Sequence, residues 1–187
     1  MIQAVLQSDF IKMPWKNGRG VTNEISIFPA GAKIEKNDFL YRLSSAPIEQ
    51  DSDFSLFPGK QRLLTPVKGA GFKLNSKVYE KFEVADFSGG EKTHCSLLKG
   101  PVLDFGVLFD PVKVKAKARI LHLKSQFSFA LDPEQIYFFT VLEGELEHEG
   151  QKLKELESLH YQGEASCQLI PVKSAVLFYL GLLLKNG

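Results

Sequence analysis

The feature that most limits the fold of this chain is its succession of short, strand-like segments. Segments such as 21–28 and 136–142 are rich in β-branched and aromatic residues, and Gly, Pro, Asn, Asp or Ser residues separate them. Helical patterns are nearly absent: residues 8–12 could form a short helix, and a turn could begin at Asp132. Short strands at regular spacing predict an all-β sandwich or barrel with few short helices.

The second half of the chain resembles a cupin barrel. Residues 141–153 alternate strand patterns with glycine turns, as a cupin hairpin does. The 187 residues and fifteen phenylalanines are sufficient for two such cores. We therefore expect a two-barrel, cupin-like (bicupin) fold packed as one compact unit. Its N-terminal half would span residues 1–110 and its C-terminal half residues 111–187, with a crossing near 109–112.

The charge pattern argues against nucleic acid as a partner. The net charge is +1, and no basic block is present. One short cationic cluster alternates with Val and Ala, which is typical of the solvated face of an edge strand. Its members are Lys113, Lys115, Lys117 and Arg119.

Membrane association and export are not expected either. Residues 1–7 lack the pattern of a signal peptide, and the apolar stretch 175–184 is too short to span a bilayer as a helix. These observations predict a cytoplasmic protein. Exposed edge strands would be compatible with a homodimer.

No cofactor, metal or catalytic residue is predicted from spacing. The four histidines form no His-x-His pair, and Cys95 and Cys167 are best interpreted as small buried residues. A G-x-S-x-G elbow and a Walker loop are both absent. The histidines are His94, His122, His148 and His160.

The segment 13–25 is the first candidate for a binding site. It joins the single Trp15 to an Asn17-Gly turn and then to an alternating strand. Strict alternation would place Thr22, Glu24, Ser26 and Phe28 on one face of that strand and Val21, Asn23, Ile25 and Ile27 on the other. Trp15 has two interpretations: it either fills the core at a hairpin entry or lines a polar pocket with Asn17.

Two arginines are the second candidate. Arg42 and Ser44 share a face of an apolar strand, and Arg62 begins another strand after a Pro-Gly turn. A guanidinium can hold a carboxylate through two parallel hydrogen bonds. The alternative is that both arginines form structural ion pairs, with Glu24, Asp53 or Asp104 as partners.

Four motifs resemble the HutD/Ves family. The first is W-K-N-G-x-G-V-T-x-E-I from Trp15 onward; the others are Y-R-L-S-S-A at 41–46, F-S-L-F-P-G at 54–59 and G-P-V-L-D-F at 100–105. The resemblance implies a cupin-like fold with a polar pocket in the first half. It also implies a link to bacterial histidine utilisation, with a formylated glutamate as ligand and a regulatory role.

The resemblance further implies which residues form the pocket. This chain departs from the family pattern at Arg19 and Gly106, where the family has Gly and Asn, and at Asn23, where an Arg is common. The implied pocket residues are Trp15, Asn17, Thr22, Glu24, Arg42, Ser44, Ser55, Phe57, Arg62 and Asp104.

Three functions follow as hypotheses. The first is a binding protein for a small carboxylate, such as formylglutamate or formate, that acts as a metabolic sensor and is not an enzyme. The second is a metal-free isomerase or hydrolase with Glu24 or Asp104 as general base. The third is a protein-interaction module with a vestigial pocket.

Overall fold

The computed structural model describes residues 1–14 and 21–185. Almost all regular structure is β, as predicted, with two single-turn 3₁₀ helices at Gln7–Asp9 and Ile34–Lys36. The strands of the first part of the chain are β1 (Ile2–Val5), β2 (Ile11–Pro14), β3 (Val21–Phe28), β4 (Tyr41–Ile48), β5 (Ser52–Asp53), β6 (Gln61–Lys68), β7 (Phe72–Leu74), β8 (Lys77–Tyr79), β9 (Ala85–Ser88), β10 (His94–Leu97) and β11 (Val102–Phe109). Those of the second part are β12 (Val114–Leu123), β13 (Phe127–Ala130), β14 (Ile136–His148), β15 (Gln151–Leu153), β16 (Ser158–Gln162) and β17 (Ser166–Leu184).

The chain divides into two compact units. Phe10–Lys113 forms one, called here the N-terminal unit, and Met1–Asp9 with Val114–Gly187 forms the other, the C-terminal unit. The polypeptide thus passes between units at residues 113 and 114, three residues beyond the division drawn from the sequence. The first nine residues belong to the C-terminal unit, because β1 pairs along β16.

The N-terminal unit contains two antiparallel sheets. Six strands follow the order β2-β3-β4-β11-β6-β9, and four follow the order β5-β10-β7-β8. Both sheets contribute side chains to one apolar core, including Leu64 from the larger sheet and Phe72 and Cys95 from the smaller one. The inner face of the six-stranded sheet is therefore the face that carries Leu64.

The C-terminal unit is built around its two longest strands. β14 and β17 pair at the centre of the order β1-β16-β14-β17-β12, while β13 pairs with β17 and β15 with β14. Its core is aromatic and aliphatic, with Phe139 and Tyr161 fully buried and Phe129 packed against them. These rings form a connected aromatic cluster, in which Phe139 and Tyr161 meet edge to face at 5.7 Å.

Several local predictions can be compared with these elements. The expected turn after Asp132 is present, but the expected helix at 8–12 is wrong: one 3₁₀ turn ends at Asp9 and β2 begins at Ile11. Both central strands are longer than their sequence suggests, since β14 continues through Gly144 and β17 through Pro171. The pairing of β14 with β17 shifts between Val141 and Glu143 and again between Gly144 and Leu146, and these irregularities allow both strands to continue.

The cationic cluster lies where the sequence placed it. β12 is the edge strand of its sheet, and Lys115, Lys117 and Arg119 are exposed on it. Their charges and long side chains discourage the pairing of a further strand.

Candidate functional site

The inner face of the six-stranded sheet carries the polar residues expected at the site. Cross-strand partners share a face, and the register aligns Arg42 with Leu108 and Leu108 with Arg62. Gly106, two residues before Leu108 on β11, lies opposite Ser44. Asp104 lies two residues before Gly106 and so is on the same face. The register therefore brings Arg42, Ser44, Arg62 and Asp104 onto one face of three adjacent strands.

A β-bulge brings Glu24 to the same face and corrects the predicted alternation of β3. The pairing of β3 with β4 shifts between Glu24 and Ser26, so Glu24 lies opposite Ser44 and Ile27 opposite Arg42. Ile27 therefore shares a face with Glu24, contrary to the prediction. Ser26 and Phe28 lie on the other face, because the extra residue of a bulge reverses every later side chain.

Arg42 contacts three protein groups. Its Nε donates to Glu24 Oε2 at 2.6 Å, its Nη1 to Ser44 Oγ at 3.2 Å, and its Nη2 approaches Met13 Sδ at 3.4 Å. Arg42 and Glu24 are both buried. The structure thus shows the ion pair that the sequence offered as one interpretation of Arg42, with Glu24 as the partner.

Arg62 is in a different position, since it is buried and no carboxylate of the described residues pairs with it. Its only hydrogen bond within the described residues runs from Nη2 to the backbone carbonyl of Ser55, at 3.0 Å. Three aromatic rings surround its guanidinium: Cζ lies 5.0 Å from the ring centroid of Phe54, 5.5 Å from that of Phe57 and 5.6 Å from that of Phe87. Cation–π attraction partly offsets the loss of hydration.

Burial makes the charged form of Arg62 less favourable than it is in water. Burial lowers the pKa of its guanidinium to about 10, and the positive charge of Arg42 lowers it too, while Asp104 acts in the opposite direction. The group nevertheless remains protonated at neutral pH. Among the described residues, no carboxylate lies within salt-bridge distance of it.

Asp104 completes the cluster. Burial raises the pKa of its carboxyl group to about 7, although the Ala46 N–H bond and the nearby arginines favour the charged form. Its Oδ1 accepts the Ala46 N–H at 2.8 Å, which fixes the carboxyl group against β4. At neutral pH this carboxyl group therefore exists in both protonation states.

The remaining predicted residues contribute in different ways. Thr22 lies on β3 opposite Met13, and Phe57 contributes its ring to the surroundings of Arg62. Ser55 takes part through its backbone carbonyl, while its side chain is exposed. Trp15 and Asn17 of the expected pocket lie outside the described residues.

Three contributors were not predicted from the sequence. Phe54 and Phe87 flank Arg62, and Met13 contacts Arg42. Phe54 stands in a motif already singled out, one residue before Ser55, so its aromatic character was a usable signal. Phe87 lies on β9 and pairs with Arg62 of β6. No local sequence pattern predicts that pairing.

The arrangement favours recognition of an anion. The charge of Arg42 is neutralised by Glu24, Arg62 has no ion-pair partner within the described part of the chain, and the pKa of Asp104 is raised to about 7. Among the described residues, no three His, Cys, Asp or Glu side chains are placed to hold a metal ion. Cys95 lies in the adjacent core, and burial raises the pKa of its thiol to about 12, so it stays protonated.

Comparison with known proteins identifies the family of the chain. The sequence model of the HutD family matches residues 7–178. The chain belongs to the HutD family. The four motifs that suggested this family lie within the matched range.

Two curated relatives illustrate the HutD family. A 21.2 kDa protein from the hutC 3′ region of Pseudomonas putida is 36% identical over 121 residues, which cover 62% of each chain. Protein Ves of Escherichia fergusonii is 33% identical over 121 residues, covering 60% of this chain and 61% of its own. The alignments thus span less than two thirds of these relatives.

Solved structures confirm the fold over the whole chain. A conserved protein of unknown function from Pseudomonas aeruginosa PAO1 is 25% identical with a TM-score of 0.84, covering 98% of this chain and 99% of its own. HutD from Pseudomonas fluorescens SBW25, solved in a formate condition, is 27% identical with a TM-score of 0.78 and full coverage of both chains.

More distant structures confirm the cupin-like fold class alone. A bacterial pirin from Escherichia coli, solved with nickel(II), has a TM-score of 0.72 at 10% identity, covering all of both chains.

No helix in the described part of the chain is long and apolar enough to cross a membrane.

Proposed function

We propose that this protein is a cytoplasmic binding protein for a small carboxylate and acts as a sensor in histidine utilisation. The observation that carries the proposal is the Arg62 guanidinium, buried with one backbone hydrogen bond and no carboxylate within salt-bridge reach among the described residues. A buried cation without a counter-ion is costly, and a ligand carboxylate would supply that counter-ion.

The contacts of each residue suggest its role in the proposed site. Arg62 would bind the ligand carboxylate, and the Arg42–Glu24 pair would hold Ser44 and β3 in position beside it. Thr22, with Trp15 and Asn17, would complete the pocket, as the family motif implies. The names of the relatives point to histidine utilisation, and the formate condition of one relative fits a small carboxylate.

Asp104 gives the proposed binding a pH dependence. A bound carboxylate would add negative charge close to a carboxyl group whose pKa is about 7. It would therefore favour the protonated form of Asp104, which can donate a hydrogen bond to the ligand. Ligand binding would take up a proton, and affinity would fall as pH rises above 7.

The test is calorimetric titration of the full chain with formylglutamate, glutamate and formate. Arg62→Gln should weaken binding by about 100-fold or more, since it removes charge-assisted hydrogen bonds worth about 3 kcal/mol. Lys152→Gln is the matched control, because Lys152 is an exposed strand cation of the C-terminal unit. Its affinity should equal that of the wild type.

Stability measurements distinguish the ligand role of Arg62 from a structural one. If Arg62 serves a ligand, Arg62→Gln should change the ligand-free stability by no more than about 2 kcal/mol, the scale of the cation–π contacts. Failure of all three compounds to bind the folded protein would refute the proposal. That result would favour the interaction-module hypothesis.

A second candidate function rests on the raised pKa of Asp104. A buried carboxyl group with a pKa near 7 is suited to general acid–base catalysis. A metal-free hydrolase or isomerase would use Asp104 as its base, whereas Glu24 is occupied by Arg42. Turnover of a formylated amino acid, abolished by Asp104→Asn while binding persists, would establish this alternative.

A further inference from the structure

The two units of the chain contain the same arrangement of four strands. In the N-terminal unit β4, β11, β6 and β9 are adjacent in that order, and in the C-terminal unit β12, β17, β14 and β16 are adjacent in the corresponding order. The order in which these strands follow one another along the chain is also the same. The C-terminal unit therefore repeats the framework of strands that carries the candidate site.

One turn in each unit fixes which positions correspond. Phe82, with a φ of 68°, donates its N–H to the carbonyl of Pro66 on β6, at 2.9 Å. Leu156, also with a φ of 68°, donates its N–H to the carbonyl of Val141 on β14, at 2.7 Å. Pro66 and Val141 therefore hold corresponding positions in the two units.

The cross-strand register extends this correspondence to β4 and β12. Two residues before each of these acceptors, a row of three cross-strand partners reaches the outer strand. The rows are Leu64–Gly106–Ser44 in the N-terminal unit and Phe139–Tyr179–Arg119 in the C-terminal unit. Arg119 therefore corresponds to Ser44, and Lys117, two residues earlier on β12, corresponds to Arg42.

The C-terminal unit has no counterpart of β3. In the N-terminal unit β3 pairs along the outer edge of β4, and Glu24, opposite Ser44, binds Arg42. Among the described residues β12 pairs only with β17, and no other backbone hydrogen bond involves it. About half of its ten residues therefore direct their N–H and C=O groups toward an edge without a partner strand.

The open edge of β12 has charge of one sign. Lys115, Lys117 and Arg119 are exposed on one face of the strand, and none of them forms an ion pair with a described residue. We call these three residues the cationic row. It disfavours antiparallel pairing with the same strand of a second copy, since like charges would then lie opposite each other. An acidic strand would instead be complementary to it.

We propose that the open edge of β12 binds an extended segment of a partner protein that has acidic side chains at alternate positions. The segment would lie beside β12 as β3 lies beside β4, and its backbone would complete the hydrogen bonding of the edge. Its acidic side chains would share one face, as the members of the cationic row do, so three charge pairs could form together. A Glu opposite Arg119 would correspond to Glu24 opposite Ser44. The proposal does not depend on the binding of a carboxylate by Arg62.

The test is NMR titration of the ¹⁵N-labelled full chain with the peptide Ac-TEVEVET-NH2, followed by amide hydrogen exchange of the complex. Saturable shifts should occur at residues 114–123, with a dissociation constant of about 1 mM or lower. About half of these amides, those directed to the open edge, should exchange more slowly in the complex.

Two control peptides separate charge from strand pairing. Ac-TQVQVQT-NH2 has the same strand pattern without the charges. The second control is the acidic peptide with two adjacent N-methylated residues, which keeps the charges but cannot form a continuous ladder along either edge. Each should bind at least about tenfold more weakly than Ac-TEVEVET-NH2.

A charge exchange tests the assignment to the cationic row. The double variant Lys117→Glu with Arg119→Glu should bind Ac-TEVEVET-NH2 at least about tenfold more weakly and should bind Ac-TKVKVKT-NH2 in its place. Lys152→Glu with Lys154→Glu is the matched control, because it makes the same charge change at exposed positions of the C-terminal unit outside β12. It should bind the acidic peptide as the wild type does. Thermal unfolding verifies that both double variants are folded.

Three results would overturn the proposal. One is the absence of saturable shifts in β12 at about 5 mM of the acidic peptide, a concentration that fills a millimolar site. Another is equal affinity for the N-methylated peptide, which would show charge attraction without strand pairing. The third is protection of the β12 amides that rises with protein concentration in the absence of peptide, which would assign the edge to a second copy of the chain.

Discussion

Asp104→Asn should flatten part of the pH dependence of stability. The substitution keeps the shape of the side chain and an oxygen that can accept the Ala46 N–H. It removes the titration of a carboxyl group whose pKa burial raises to about 7. The difference between variant and wild type therefore isolates the effect of this one group.

The sign and size follow from linkage. Between pH 3.8 and about 7, the folded protein holds a proton on Asp104 that the unfolded chain has lost. The contribution of Asp104 to the free energy of unfolding is thus fully present below pH 3.8 and is lost as pH rises through 7. A tenfold change in proton affinity corresponds to about 1.4 kcal/mol, so the whole loss is about 4 kcal/mol.

Other titratable groups change the stability with pH in the opposite direction, and their contribution must be removed from the comparison. Burial lowers the pKa of His160, and the His94 hydrogen bond lowers that of Asp53, so both make the protein less stable as pH falls. Neither group is altered by Asp104→Asn. Urea unfolding of variant and wild type at a series of pH values from 4 to 8, analysed as a difference, removes their contribution.

The expected result is a variant that matches the wild type near pH 4 and exceeds its stability by up to about 4 kcal/mol at pH 8. Asp86→Asn is the control, since Asp86 is exposed and accepts a hydrogen bond from Gln61 at 2.6 Å. A difference curve that is flat, or that rises toward acid pH, would refute the assignment of the raised pKa to Asp104.

Three further predictions concern individual contacts. Glu24→Gln should destabilise the protein by about 3–5 kcal/mol in urea unfolding, because it leaves the buried charge of Arg42 without its counter-ion; a loss below about 1 kcal/mol would show that the pair is not effectively buried. Gly144→Ala should lower the melting temperature more than Gly150→Ala. Both glycines have positive φ, but only at Gly144 would a Cβ collide with the neighbouring backbone; equal losses would refute this. Cys95 should resist iodoacetamide at pH 8 until the protein unfolds, as mass spectrometry can show, since its buried thiol has a pKa of about 12.

The sequence predicted the strands well and their connections less well. Alternation alone placed Arg42 and Ser44 on one face, and the structure joins them by a hydrogen bond of 3.2 Å. It failed at Ile25, where a bulge shifts the register of β3 against β4. A bulge is fixed by pairing with another strand, so a pattern within one strand contains no sign of it.

The candidate site shows the same limit. Single-strand patterns and family motifs supplied Arg42, Arg62 and Asp104 as candidates. Which arginine keeps a free charge depends on pairing between strands: Glu24 reaches Arg42 at 2.6 Å, whereas β9 brings an aromatic ring to Arg62. The sequence left both interpretations of the arginines open, and the structure assigns the ion pair to Arg42.

The contrast between the two units supports a functional origin for the charged cluster. The C-terminal unit fills its core with contacting rings, such as Phe129, Phe139 and Tyr179. The N-terminal unit, which is also built from phenylalanine-rich strands, instead buries Arg62 and Asp104. Replacing buried charges by apolar side chains is often neutral or stabilising. The C-terminal unit shows that the same kind of fold can be built with an apolar core, so stability alone does not account for the buried charges of the N-terminal unit.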